Sequence, residues 1–283
     1  MQTAPDAISI PSGNAILQVS FYPRPQSDTV IMLHGGPGVP DEMTEVREWL
    51  CQTMQVIHFN QRGVDEENCK SCTFTMDDFI NDINHIAAWF QIEKFHLFGH
   101  SWGGLYAQIY TRYFPGNVLS LFLCSPASGT GKEWEITEKE IFRYNLSRSS
   151  VPEILGMAFN TVLGMAGNKS AYRRLFRQII INYHKGYPVD PPDEEKLKKI
   201  NSKAGLLTRK EIRKYPELGV FGITTFPVII TYGQFDAYGP SKQFVLDRFP
   251  NAAKVIVPKS GHTPWKHNWP EFMRILNAFY GKV

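Results

Sequence analysis

Residues 99–104 read Gly99-His100-Ser101-Trp102-Gly103-Gly104 and carry most of the information about the fold. Residues 94–98 before this stretch, with Phe95, Leu97 and Phe98, predict a buried strand, and the run 105–114 after it predicts a helix. A serine between these elements lies on a sharp strand-to-helix turn, where flanking glycines allow a close backbone approach that side chains would block. Because such a turn exposes the hydroxyl at the end of a sheet, the stretch predicts a nucleophilic Ser101.

Two downstream residues are the partners that a nucleophilic serine requires. Asp236 follows the apolar strand predicted over 227–232, and His262 follows the strand predicted over 253–257. An imidazole accepts a proton near neutral pH, and a carboxylate holds it in one tautomer. Taken singly, a loop aspartate is typical of a turn and a lone histidine of an ordinary surface or core position. The chain order Ser101, Asp236, His262 is that of α/β-hydrolase triads and favours catalytic roles for all three.

A second glycine motif follows another predicted strand. Residues 29–33 predict the strand, and His34-Gly35-Gly36-Pro37-Gly38 comes directly after it. Acyl transfer requires backbone N–H groups directed at the oxygen that becomes negative in the tetrahedral intermediate. We expect the amides of Gly36 and Trp102 to supply this oxyanion hole, and Gly35 to contact substrate. Alone, the motif is typical of a surface turn; upstream of the serine turn, it favours the functional interpretation.

Three motifs together resemble the signature of the prolyl iminopeptidase-like α/β-hydrolases. They are residues 34–38, residues 99–104 and Asn60-Gln61-Arg62-Gly63 between them. The resemblance covers about residues 25 to 125 and 225 to 283. It implies the triad and oxyanion hole named above and a serine hydrolase that removes N-terminal residues from short peptides.

Two features differ from the family pattern. The family usually has Asp-Gln-Arg-Gly-x-Gly, whereas this chain has Asn60 at the first position and Asp65 at the last. The chain also lacks a Trp-rich, glutamate-bearing cap pattern for holding a substrate amino group. Within the cap, Glu133 and Glu135, on either side of Trp134, are the best candidates for that role, although acidic residues at a surface helix start are equally typical.

The alternation of strands and helices predicts an α/β fold with a mostly parallel twisted sheet and helices on both faces. We expect a core domain made of residues 1–126 and 223–283. In residues 127–222 the alternation of strands and helices stops, and this region predicts a helical cap over the carboxyl edge of the sheet.

Two properties of the cap have alternative interpretations. An apolar stretch over 154–165 either packs within the cap, which is favoured, or lines a pocket. Residues 131–219 contain 17 Lys and Arg against 11 Asp and Glu, Arg209 and Lys210 among them. A solvated helix face is the favoured interpretation of this charge, and steering of an anionic substrate is the alternative.

The composition is that of an ordinary globular protein, with 283 residues, 43% hydrophobic, 20% charged and a net charge of +3. The N-terminus lacks a basic segment before an apolar core, and no apolar run reaches about 18 residues, so we expect a cytoplasmic protein without a membrane segment. The Cys69-Lys70-Ser71-Cys72 spacing lacks a second pair and is interpreted as a coincidence of a loop.

The sequence therefore predicts a serine hydrolase that forms an acyl-enzyme on a small amide, peptide or ester. A metabolic esterase, lactonase or thioesterase on the same scaffold is the alternative, and a non-catalytic binding protein of this fold is disfavoured by the complete triad. We expect a small-molecule or short-peptide substrate, no metal or organic cofactor, and neither nucleic acid nor membrane as a partner.

Overall fold

A single sheet organises the computed structural model, which describes residues 5–64 and 66–281. The first four residues, Asp65 in the motif that begins at Asn60, and residues 282–283 lie outside the described residues. Within the described chain the strands are β1 Asp6–Ser12, β2 Ala15–Tyr22, β3 Thr29–Leu33, β4 Gln55–Phe59, β5 Phe95–His100, β6 Val118–Cys124, β7 Val228–Gly233 and β8 Ala253–Val257. They pair in the order β1-β2-β4-β3-β5-β6-β7-β8.

The sheet is antiparallel at one side and parallel elsewhere. The pairs β1–β2 and β2–β4 are antiparallel, whereas every other neighbouring pair is parallel. Strands β3, β5 and β7 are buried along their whole length, as expected for parallel strands covered on both faces. The predicted mostly parallel sheet is therefore confirmed, and β1 and β2 form an antiparallel hairpin at one side of it.

Helices follow the strands in alternation. Their bounds are α1 Thr44–Leu50, α2 Met76–Trp89, α3 Trp102–Tyr113, α4 Lys132–Arg148, α5 Val151–Met165, α6 Lys169–His184, α7 Glu194–Lys198, α8 Ser202–Lys214, α9 Lys242–Arg248, α10 Pro264–His267 and α11 Trp269–Tyr280. Helix α2 begins with a capping box, in which the Thr75 hydroxyl accepts from the Asp78 amide and the Asp78 carboxylate accepts from the Thr75 amide.

Apolar side chains cover both faces of the sheet, because neighbouring residues of a strand point to opposite faces. Ile31 packs in one cluster with Phe79 of α2 and residues of α3. Its neighbour Val30 packs in the other cluster with Val46 of α1 and Leu276 of α11. This arrangement fixes the carboxyl ends of β3, β5, β7 and β8 along one edge of the sheet.

Helices α4 to α8, here called the cap helices, lie between β6 and β7 and within the predicted insertion. Helix α6 contacts each of the other four. Its buried Tyr172, Phe176 and Ile180 form a separate small core with Leu197 and Ile200. The cap helices thus pack on each other around α6.

Helix α5 packs within the cap, as favoured for its apolar stretch, but only part of its surface is covered. Its apolar side chains neither line the main cavity nor form a buried core, since Leu155, Phe159, Val162 and Met165 are each more than 60% exposed. The other side of the helix packs on α6. Within the described residues, no helix combines the length and apolar character of a membrane span.

The interpretation of the Cys69-Lys70-Ser71-Cys72 segment is corrected by the structure. Cys69 and Cys72 are joined by a disulfide, and both are buried against the core beside the β1–β2 turn, so their spacing is not a coincidence of a loop. Cys51 and Cys124 are free thiols. No group of three or more His, Cys, Asp or Glu residues in the described part of the chain could hold a metal ion.

Candidate active site

Ser101 lies between β5 and α3 in a backbone conformation that L residues rarely adopt, with φ 54° and ψ −118°. The turn is closed by two glycines. A Cβ at Gly103 would overlap the carbonyl oxygen of Leu33, and a Cβ at Gly99 would overlap that of Gly103. The predicted strand-to-helix turn is therefore present, and it directs the Ser101 side chain into a cavity.

The structure brings Ser101, His262 and Asp236 into one hydrogen-bonded series. His262 Nε2 lies 3.0 Å from Ser101 Oγ, and His262 Nδ1 lies 3.0 Å from Asp236 Oδ1. Asp236 follows β7 and His262 follows β8, so both come to the edge where β5 delivers the serine. His262 and Asp236 are buried.

Electrostatics fix the direction of these hydrogen bonds. Burial alone would raise the pKa of Asp236, but the adjacent His262 and its hydrogen bond lower that pKa to about 2. The ionised carboxylate can only accept, so His262 donates from Nδ1. Its Nε2 then carries a lone pair, and the Ser101 hydroxyl donates to it. This is the arrangement in which an imidazole can take a proton from the serine.

Two tyrosines that were not predicted from the sequence surround this series. The Tyr238 hydroxyl lies 3.1 Å from Ser101 Oγ, and its ring contacts His262 edge-on. Tyr183 of α6 lies against His262 with ring centroids 4.8 Å apart. Burial raises the pKa of Tyr238 well above its ordinary value, so this phenol stays protonated and can donate to Ser101. The only sequence signal for Tyr238 was its place two residues after Asp236.

The glycine-rich loop after β3 borders the serine. A Cβ at Gly35 would lie 3.5 Å from Ser101 Cβ, and one at Gly36 would lie 3.7 Å from Trp102 Cδ1. The Gly36–Pro37 peptide bond is cis. Trp102 is the first residue of α3, so its amide has no carbonyl partner within the helix. The two predicted amide donors thus belong to adjacent segments beside Ser101 Oγ.

Gln61 ties these two segments together. Its Nε2 donates to the carbonyl of His34 at 2.6 Å, and its Oε1 accepts from the indole N–H of Trp102 at 2.8 Å. Its backbone amide also donates to His34 Nε2. Gln61 is buried and belongs to the Asn60-Gln61-Arg62-Gly63 motif, which was the available signal for this role.

Arg62 of the same motif is structural. Its guanidinium binds the buried carboxylate of Asp82 on α2, with Nη2 to Oδ1 at 2.7 Å and Nε to Oδ2 at 3.2 Å. It also donates to Asn14 in the β1–β2 turn. Arg62 therefore joins the opening hairpin to α2 and does not line the cavity.

The cavity above Ser101 has a volume of about 110 Å³. Core loops supply its floor, and helices α4, α6 and α8 of the cap supply its roof. Gly35, Gly36 and Trp134, which we expect from the sequence to contact the oxyanion or the substrate, line this cavity. Its apolar lining is Val39, Met43, Ile141, Phe176, Ile179 and Ile180.

Glu133 does not lie in this cavity, which corrects its assignment as a substrate contact. Its carboxylate accepts from Arg248 Nη2 at 2.5 Å. Arg248 is buried and also donates to Gln108 and to the carbonyl of Ser128. A buried guanidinium requires an anionic partner, and Glu133 is that partner. This contact joins α4 to α9, a tertiary pairing that local sequence does not reveal.

His100, immediately before the serine, supports the His262 loop. Burial lowers the pKa of His100 to about 3, so its ring is neutral. Its Nε2 donates to the carbonyl of His262 at 3.0 Å, and its ring packs edge-on against Trp265. His100 thus holds the position of the His262 backbone.

Known proteins are similar to this chain in sequence and in fold. The proline iminopeptidase of Clostridioides difficile (strain 630) is 26% identical over 265 residues, covering 88% of each chain. Among solved structures, the Mycobacterium smegmatis proline iminopeptidase matches with a TM-score of 0.63 at 18% identity, over 98% of each chain. The Bacillus subtilis carboxylesterase CesB matches with a TM-score of 0.65 at 16% identity, over 99% of this chain and 93% of that one.

The two structural matches establish the fold alone. The model of the alpha/beta hydrolase fold family matches residues 28–265, which is most of the chain and contains the serine turn, Asp236 and His262. The fold class and family resemblance predicted from the three motifs are confirmed: the chain belongs to the alpha/beta hydrolase fold family.

Proposed function

We propose that this protein is a serine hydrolase that cleaves a small carboxylic ester through an acyl-enzyme. The observation that carries the proposal is the continuous hydrogen-bonded series from Ser101 through His262 to Asp236 beneath a cavity. A nucleophile, its base and a group that orients the base are the minimum required for acyl transfer.

In the proposed mechanism, Ser101 Oγ attacks the substrate carbonyl while His262 Nε2 takes its proton. The amides of Gly36 and Trp102 stabilise the oxyanion, and Asp236 stabilises the imidazolium. His262 then protonates the leaving alcohol, which departs as the acyl-enzyme forms. Water attacks this intermediate by the same route, and the acid and free Ser101 are released.

The charges around the cavity favour an ester over a peptide with a free amino terminus. Such an amino group requires an anionic partner, yet in the described part of the chain the nearby carboxylates are already bound. Glu42, which lines the cavity, pairs with Lys266 at 3.3 Å. Glu140 accepts from the amides of Gly239 and Ser241, and Glu133 is bound to Arg248.

A second candidate is an N-terminal aminopeptidase. The names of the curated relatives favour it, since the matched proteins from Clostridioides difficile and Lactobacillus delbrueckii subsp. lactis are proline iminopeptidases at 26% and 24% identity. In both candidates, we propose that the core domain of residues 1–126 and 223–283 performs the chemistry and that the cap of residues 127–222 selects the substrate.

The two candidates are separated by a substrate panel. Purified protein is assayed with the acetate and butyrate esters of 4-nitrophenol beside the 4-nitroanilides of proline and alanine. We expect rapid ester cleavage and no measurable anilide cleavage. Cleavage of the proline anilide with a specificity constant equal to or above that for the esters would favour the aminopeptidase. Inactivity on all four substrates would contradict the proposed hydrolase.

Ser101→Ala tests the assignment of the nucleophile in the same assay. We expect turnover to fall by roughly three orders of magnitude or more, because triad members act as a unit. The matched control is Ser9→Ala, which removes a hydroxyl from an exposed position on β1, far from the cavity. Near-normal activity of Ser101→Ala would overturn the assignment.

A further inference from the structure

Arg209 of α8 lines the cavity, and its guanidinium has no hydrogen-bond or ion-pair partner among the residues that the structure describes. Its Nε is buried and makes no hydrogen bond. Within residues 5–64 and 66–281, no carboxylate forms an ion pair with it, and the contact that is present is with the ring of Phe176, 5.5 Å from Cζ. A buried N–H without an acceptor is destabilising, so this group is placed where a ligand can supply the acceptor.

Other basic side chains near the cavity and cap do not share this situation. Lys266, which approaches the cavity, is paired with Glu42, and Arg213, one turn further along α8, is paired with Glu138 at 2.6 Å. Lys210, the next residue after Arg209, is exposed and does not line the cavity. Arg209 is thus the basic residue of α8 whose charge is turned inward and left uncompensated.

The charge of Arg209 reaches the reacting groups. Burial is the larger influence on Tyr183 and Tyr238 and raises the pKa of each, while the positive charge of Arg209 lowers both. Because Tyr238 contacts Ser101 and Tyr183 contacts His262, the guanidinium lies within electrostatic range of the site where the ester carbonyl would sit.

A second unpartnered donor lines the same cavity. The indole Nε1 of Trp134 is buried without a hydrogen bond, and its helix α4 packs on α8. Indole and guanidinium groups are donors only, so both require an acceptor on the ligand. One positive charge and a few N–H donors suit a carboxylate, which has a single charge and two oxygens. They suit a phosphate dianion less well, because it has two charges and more oxygens to bind.

We propose that Arg209 binds a carboxylate of the substrate, so that the hydrolase acts on esters whose acyl chain ends in a carboxylate. This inference rests on the proposed function. The apolar side chains of Phe176, Ile179 and Ile180, which line the same cavity, suit the methylene segment between the carboxylate and the scissile carbonyl.

The test compares two adipate esters of 4-nitrophenol that differ in one charge. One keeps the second carboxylate free, and in the other that carboxylate is a methyl ester. The measured quantity is the specificity constant for the charged ester divided by that for the neutral ester, each corrected for spontaneous hydrolysis. This ratio does not depend on the fraction of enzyme that is folded. We expect a wild-type ratio above about 10, since a charge-assisted hydrogen bond adds binding that the neutral ester lacks.

Substitutions of Arg209 should change this ratio in a graded way. Arg209→Gln should lower the ratio at least about 10-fold, mainly by raising KM for the charged ester while kcat changes little. Arg209→Lys should restore part of the ratio, because it keeps the charge but loses the planar set of donors.

Lys210→Gln is the matched control, since it removes the same charge from the same helix at a position outside the cavity. Its ratio should equal that of the wild type. An equal fall in Lys210→Gln and Arg209→Gln, or a wild-type ratio of one or less with both esters cleaved, would overturn the carboxylate site.

A binding measurement separates this inference from the proposed function. Calorimetry with monomethyl adipate and the Ser101→Ala variant requires no turnover. We expect binding that is weakened at least about 10-fold when Arg209→Gln is added. If neither ester is hydrolysed, the proposed function fails, and the binding measurement alone tests the carboxylate site. Equal binding by the two variants, or no binding by either, would refute that site.

Discussion

Ser101 occupies a backbone region that favours glycine, yet the proposed chemistry requires a hydroxyl there. Its φ of 54° and ψ of −118° lie in a region that residues with a Cβ rarely adopt. Such a conformation costs about 1–3 kcal/mol for a residue with a Cβ and persists because the surrounding strand and helix impose it. The energetic cost of this backbone conformation can be measured separately from the catalytic role of the Ser101 hydroxyl.

Two substitutions at this position test the strain. Both Ser101→Ala and Ser101→Gly remove the hydroxyl, but only the glycine variant removes Cβ. We expect Ser101→Gly to be the more stable of the two by about 1 kcal/mol, or roughly 2 °C in Tm for a chain of this size. Thermal unfolding of the two variants under one buffer condition measures the difference. Equal Tm values, or a more stable alanine variant, would contradict the strain.

Residue roles that depend on local sequence were predictable, and those that depend on tertiary partners were not. Ser101, Asp236 and His262 each follow a strand that its apolar run identifies, so their meeting at one edge follows from the fold. Glu133 and Arg209 lie in the cap, where a charge can face solvent, a buried partner or the cavity. Only packing decides among these three, and the role predicted for Glu133 was wrong for this reason.

Elements of the core were easier to predict than those of the cap. Strands buried on both faces have continuous apolar runs, and α2 has a capping box followed by one apolar stripe. Helix α5 is apolar around much of its surface, so its pattern does not show which side is buried. In the structure its outer side is exposed, whereas the inner side of α6 forms the small core of the cap.

Matched phenylalanines on these two helices test this view of the cap. Phe159 of α5 is 62% exposed and Phe176 of α6 is 7% exposed. We expect Phe159→Ala to change the free energy of unfolding by less than about 0.5 kcal/mol. Phe176→Ala should lower it by about 3 kcal/mol, because a buried ring leaves a void. Urea unfolding of both variants measures the two changes; similar losses would mean that α5 is buried in solution.

At the scale of the whole molecule, buried neutral histidines link stability to pH. Burial is the main cause that lowers the pKa of His58 and His184 to about 4 and of His100 and His267 to about 3. Each folded value lies below the ordinary 6.5, so the unfolded chain binds more protons as the pH falls below 6.5. Their contribution to stability is complete above that pH and is lost between about 6.5 and 3.

We therefore expect the free energy of unfolding to fall steeply from about pH 6.5 to about pH 4.5. Each of these histidines contributes up to about 1.4 kcal/mol per pH unit in this range. Urea titrations at about pH 7, 6 and 5 measure how the free energy of unfolding changes with pH. The slope gives the number of protons taken up on unfolding, and His100→Gln should lower that number by about one. A stability that is constant over this range would show that the histidines are not buried and neutral.

Covalent labelling tests the central claim, that Ser101 is an activated nucleophile, most directly. Diethyl 4-nitrophenyl phosphate transfers its diethylphosphoryl group to such a serine and releases 4-nitrophenolate, because the phosphoryl oxygen uses the same amide donors as the tetrahedral intermediate. Peptide mass spectrometry should find one adduct, on Ser101, with loss of ester hydrolysis, and none in Ser101→Ala. An adduct on another residue, or hydrolysis that continues in a protein unlabelled at Ser101, would contradict the account.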